Sequence, residues 1–149
     1  ESYPSDKDTL VALLNLYAGN GDYDAIVRLA DEALALEPGS VNLNYLLGFA
    51  FEVTGDREKA ESFFKRTLEL DPDDYNSNYE LGLLYLRDFV KDTSNLEKQY
   101  TAQEYLLKAN EINPNAVNAL KSLAVLFDKS GNSVQLERVN NQLNQININ

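Results

Sequence analysis

Pro4, Pro38, Pro72 and Pro114 are the only four prolines in this 149-residue chain, and they stand 34, 34 and 42 residues apart. The last interval is the same period plus an insertion of eight. A proline inside a helix loses a hydrogen bond and clashes with the preceding turn, so each one marks a helix end. A breaker that recurs every 34 residues implies an array of helix–turn–helix units that bury their apolar faces by stacking.

In that frame the chain reads as repeats 7–40, 41–74, 75–116 and 117–149 after a short lead-in. Each first helix carries apolar residues at helical spacing, as with Leu10, Leu13, Leu14 and Tyr17, or Leu47, Ala50 and Phe51. Gly21, Gly55 and Gly131 then mark turns, because glycine tolerates the left-handed backbone that ends a helix. The second helices close on Ala-Leu-Glu-Pro at 35–38, Glu-Leu-Asp-Pro at 69–72 and Glu-Ile-Asn-Pro at 111–114.

The chain resembles the tetratricopeptide repeat family. That family has a small residue in the middle of the first helix, alanines early and late in the second, and the closing proline. Repeat two supplies Gly48, Ala60 and Pro72 with Thr67 at the late alanine, and repeat three supplies Gly82, Ala102, Ala109 and Pro114. Repeat one departs with Leu14 and Ile26 but keeps Ala33 and Pro38, while repeat four has Ala124, Leu136 and Leu143. Leu10, Asn44, Asn78 and Leu120 replace the family's frequent tryptophan. The resemblance implies an all-α, right-handed superhelical solenoid of about four repeats and eight helices, forming one domain over 1–149. Gly48 is expected to face Ala60, and Gly82 to face Ala102, where paired helices touch. The long third repeat and the asparagine-rich sequence resemble exported bacterial members; a cytoplasmic setting is the alternative.

Composition narrows the function. The chain has no histidine and no cysteine. That removes the commonest general base, the thiol nucleophile and nearly every zinc site, so no enzyme, metal or cofactor is expected. Asp71, Asp73 and Asp74 flank a helix-ending proline and read as helix-start acids, not a calcium loop. A net charge of −11 disfavours nucleic acid. Residues 1–74 hold 16 acids and 6 bases, whereas 75–149 hold 8 and 7; the plain reading is solvated faces that keep the protein soluble, and attraction of a basic partner to the first half is the sharper alternative. No apolar run is long enough to span a membrane.

The function that the resemblance implies is protein binding in a groove lined by the first helices. The residues expected to face it are Asp8, Val11, Asn15, Asn42, Tyr45, Phe49, Asn76, Tyr79, Leu83, Asn118, Lys121 and Val125. Asn42, Asn76 and Asn118 fall at equivalent places, and side-chain amides both donate to and accept from a peptide backbone. Tyr45, Phe49 and Tyr79 offer the flat apolar surfaces that carry binding energy. The competing reading has the asparagines cap helices and the aromatics fill gaps. The clamp of basic residues and asparagines that some members use for terminal carboxylates is matched here by Asn15 alone.

The insertion lies within Arg87 to Tyr100. Ser94-Asn95-Leu96-Glu97 reads as a capping box starting a helix near Asn95, after a first helix that runs to Val90 or Lys91. Phe89, Val90, Leu96 and Tyr100 are expected to zip this hairpin. Glu137, Asn140 and Asn144 give the last helix a polar outer face, which is how an array ends. Thr9 to Ala18 is apolar on nearly every side. The alternatives at that N-terminal face are self-association, a preceding repeat, or a structural assembly subunit that docks through it.

Overall fold

A computed structural model describes the backbone of residues 7–148 and the side chains of 7–146, so Pro4 lies outside the described residues. Among these residues there are nine helical segments: α1 (Lys7–Asn20), α2 (Tyr23–Arg28), α3 (Ala30–Leu36), α4 (Val41–Thr54), α5 (Arg57–Leu70), α6 (Tyr75–Lys91), α7 (Leu96–Ile112), α8 (Val117–Lys129) and α9 (Ser133–Ile148). The chain divides into two compact units, Glu1–Pro72 and Asp73–Asn149. The division falls beside the boundary between repeats two and three.

The proline rule fixes the second-helix ends. α3, α5 and α7 stop at Leu36, Leu70 and Ile112, each two residues before a proline. Their caps Glu37, Asp71 and Asn113 leave the helical region, with φ of −139°, −141° and −131°, because a residue followed by proline is pushed out of it. Gly55 ends α4 with φ 92°, in the left-handed conformation that the sequence requires of it. Side chains cap the following starts: Ser40 Oγ accepts from the Leu43 N–H at 3.3 Å, and Asp74 Oδ1 from the Ser77 N–H at 2.7 Å.

Nine segments replace the expected eight helices because the second helix of repeat one is divided at Leu29. There the N–H donates to both the Ala25 and Ile26 carbonyls, at 3.3 and 3.1 Å, which tightens the turn and turns ψ to 0°. The division falls in the repeat that has Leu14 and Ile26, both buried, where repeats two and three have small residues.

In the first unit α4 packs on α2, α3 and α5; Ile26, Leu47 and Phe64 have no exposed surface. In the second, α6 pairs with α7, and α8 packs on α6, α7 and α9 around Leu81, Phe89, Leu106, Leu120 and Leu123. Each such side chain contributes about 1.5–3 kcal/mol on burial.

The atoms nearest the two glycines belong to large side chains rather than to the alanines. A Cβ added to Gly48 would lie 2.7 Å from the Phe64 ring, and one on Gly82 would lie 2.6 Å from Leu106 Cγ. Each glycine therefore receives a large side chain one helical turn beyond Ala60 or Ala102, and the alanines are simply buried. The small residue makes room for a large knob.

The long hairpin opens where the sequence puts it, with α6 ending at Lys91 and α7 starting at Leu96. Its cap is Asn95, whose Oδ1 accepts from the Lys98 N–H at 3.1 Å. Ser94 instead donates its N–H and Oγ–H to Asp92 Oδ1, so the capping box led by Ser94 is absent. Nor is there an apolar zip. Phe89 is buried, but Val90, Leu96 and Tyr100 are exposed, the last to 61%.

Candidate partner-binding faces

In the first unit α4 buries Leu43, Asn44, Leu47, Gly48, Ala50 and Phe51, which turns the intervening positions outward. Asn42 is exposed, and Tyr45 and Phe49 are partly exposed. One side of each ring is packed. Tyr45 lies 5.9 Å from the buried Phe64 ring and 6.3 Å from Phe49, and Phe49 meets Tyr23 edge-on at 5.4 Å. The rings are thus held rigidly and still present surface, which lowers the entropy lost on contact with a partner.

α1 supplies the facing wall. Asp8, Val11 and Asn15 are exposed, whereas Leu10 and Leu14 are buried. A cleft of 310 Å³ separates α1 from α4. Val11, Leu14, Leu43 and Leu46 give it an apolar lining, and Asn15, Asn42, Ser40 and Glu37 give it polar groups. The structure therefore brings Asn15 and Asn42 to one site. Glu37 was not anticipated there. It pairs with the ammonium of Lys7, whose pKa is raised first by that hydrogen bond and then by the charge of Glu37. Glu37 lies in a turn, where helical periodicity gives no signal; the nearest one was an acid just before Pro38.

The second unit repeats the pattern on α6 and α8. Asn76 is exposed, and Tyr79 and Leu83 are partly exposed, while Asn118, Lys121 and Val125 are exposed. Tyr79 stacks on Tyr75 with ring centroids 6.0 Å apart and planes 6° from parallel. Burial holds the Tyr75 phenol above its ordinary pKa, with smaller contributions from Tyr79 and Glu80.

The asparagines at these places are not the helix caps. Ser40 and Asp74 cap α4 and α6, and Ala116 precedes α8. A different pair of asparagines is structural. Asn44 Nδ2 donates to the Pro38 and Ser40 carbonyls at 3.2 and 2.8 Å, and Asn78 Nδ2 to the Asp74 carbonyl at 2.9 Å. They are 1% and 3% exposed and tie each first helix to the turn before it. In the first unit the α1 stretch leaves Leu16 exposed to 58% and Val11 to 38%. In the second, Glu137, Asn140 and Asn144 are exposed on α9.

Among the described residues no group of His, Cys, Asp and Glu is placed to hold a metal ion, and no helix is long and apolar enough to cross a membrane.

Paired helices closed by prolines at a 34-residue period define an all-helical repeat protein. Residues 17–82 match the family model for the tetratricopeptide repeat. The chain is 21% identical over 129 residues, 87% of its length, to anaphase-promoting complex subunit 3 of Schizosaccharomyces pombe. It is 29% identical over 94 residues, 58% of its length, to cellulose synthase operon protein C of Pseudomonas fluorescens. It spans only 18% and 7% of those two proteins. Among solved structures it resembles MamA, with a TM-score of 0.80 at 20% identity over 96% of this chain and 74% of that one. A MamA double mutant gives 0.82 at 19% identity, covering 97% and 77%. The fold is an all-helical array of helix–turn–helix repeats, and the tetratricopeptide match falls on residues 17–82 of it.

Proposed function

We propose that the chain is a non-catalytic protein-interaction scaffold whose first-helix faces bind a peptide or helix of a partner protein. The observation that carries this reading is the state of Tyr45, Phe49 and Tyr79: each packed against another ring and still partly exposed, with the exposed amides of Asn42 and Asn76 on the same helices and that of Asn118 on α8. Rigid aromatics supply contact area, and amides satisfy a partner's backbone. Asn15, Leu83 and Lys121 complete the faces. Lacking the basic clamp, they should not prefer free acidic C-termini to internal segments.

The test uses the partner recovered with the chain from its source organism. Tyr45→Ala, Phe49→Ala or Tyr79→Ala should each weaken that complex by about 1–3 kcal/mol while helix content is unchanged. Undiminished affinity in all three would move the site elsewhere. The second reading, a structural subunit that docks through α1, rests on the exposure of Leu16 and Val11. The long third repeat and asparagine-rich sequence support an exported bacterial setting.

A further inference from the structure

Glu37 lines a cleft whose other walls are apolar residues, amides and a serine, and a cation of the chain itself, Lys7, already pairs with its carboxylate. The carboxylate is 24% exposed, whereas the lysine that reaches it is 56% exposed and comes from the first residue of α1. Lys7 is the only base on α1, and α4 has none. The surrounding unit is strongly acidic: residues 1–72 hold 14 acids and 6 bases. Four of those bases, Lys7, Lys59, Lys65 and Arg66, pair with acids of the same unit. A partner segment therefore meets an uncompensated negative field and one carboxylate at the end of an apolar cleft.

We propose that the α1/α4 cleft selects a basic segment of another protein, one of whose arginine or lysine side chains displaces Lys7 from Glu37. Val11, Leu43 and Leu46 receive the apolar neighbours of that side chain, and Asn15 and Asn42 receive its backbone. Arginine is the better fit because its fork can engage both carboxylate oxygens at once. Lys7 acts as an internal competitor: it keeps Glu37 neutralised until a stronger donor arrives. This inference rests on the reading of the first unit as a protein-binding face.

The test immobilises the full 149-residue chain and passes over it pools of short peptides with acetylated and amidated ends, random except for a central Arg, Gln or Glu. The Arg pool should be retained about tenfold over the Gln pool, the size expected of a charge-assisted hydrogen bond, and the Glu pool least. Glu37→Gln, which keeps the shape of the side chain, should erase the preference for Arg over Gln but leave pool binding. Lys7→Ala should raise Arg retention about threefold by removing the competitor, as suits a partly exposed ion pair. Equal retention of the three pools, or an Arg preference that survives Glu37→Gln, overturns the charge selection and leaves the binding face intact. Retention of no pool overturns both.

Discussion

Gly82→Ala and Gly19→Ala make the same chemical change on two helices and should have opposite signs. At Gly82 the new methyl would lie 2.6 and 2.7 Å from Leu106 Cγ and Cδ2, and 3.2 Å from the Leu106 backbone nitrogen. Carbon atoms pack comfortably at about 3.5–4.0 Å, so roughly 1 Å of movement is needed. Rotating Leu106 relieves two contacts but not the third, which belongs to the α7 backbone. Overpacking of this kind costs about 1–3 kcal/mol. At Gly19 nothing lies within 4 Å of the added methyl, and the residue sits inside α1. Alanine there should stabilise by about 0.4–1 kcal/mol through the unfolded chain. Because the propensity gain is common to both sites, the difference between the variants isolates the overpacking. It should be about 1–3 kcal/mol, or about 2–4 °C of melting temperature per kcal/mol for a chain of this size. Urea titration followed by circular dichroism measures it. In a Leu106→Ala background the penalty of Gly82→Ala should fall, because the two side-chain contacts go and the one to the backbone stays. Equal effects at the two glycines, or a penalty undiminished without the Leu106 side chain, would refute the close approach.

Asn44→Ala and Asn78→Ala should each cost about 1 kcal/mol, since each removes hydrogen bonding from a buried amide to partly buried carbonyls of the preceding turn; thermal melts will show it. Asn95→Ala should cost about 1 kcal/mol as the true cap of α7, whereas Ser94→Ala should be nearly neutral, and the same melts separate them. Lys108, hydrogen-bonded to Asp73 at 2.8 Å, has a raised pKa for which that bond is the first cause. Its stabilisation is present below the ordinary value of 10.5 and is lost as pH rises through the raised folded value. The melting-temperature gap between the wild type and Lys108→Met should therefore close above that range.

What the sequence revealed of the fold follows from how local each cause is. Pro38, Pro72 and Pro114 end helices through their own ring, so Leu36, Leu70 and Ile112 were legible as limits. The division at Leu29 has no glycine or proline to announce it. Gly48 and Gly82 announce that something comes close but not what: whether Ala60 or Phe64 fills the gap depends on how the two helices slide past each other. The exposed faces were legible as the complement of the buried spacing, and helix phase separates Asn42, outside, from Asn44, inside. Glu37 was not legible as part of a site, because only folding brings the turn before Pro38 between α1 and α4.

The central claim, that a partner protein seats on the first-helix faces, is tested most directly by photo-crosslinking from single positions in cells of the source organism. A photoreactive residue at Asn42 or Asn76 should crosslink to the same second protein, and one at the exposed Ser62 of α5 should not. Crosslinks that arise from Ser62, and from neither Asn42 nor Asn76, would contradict the account.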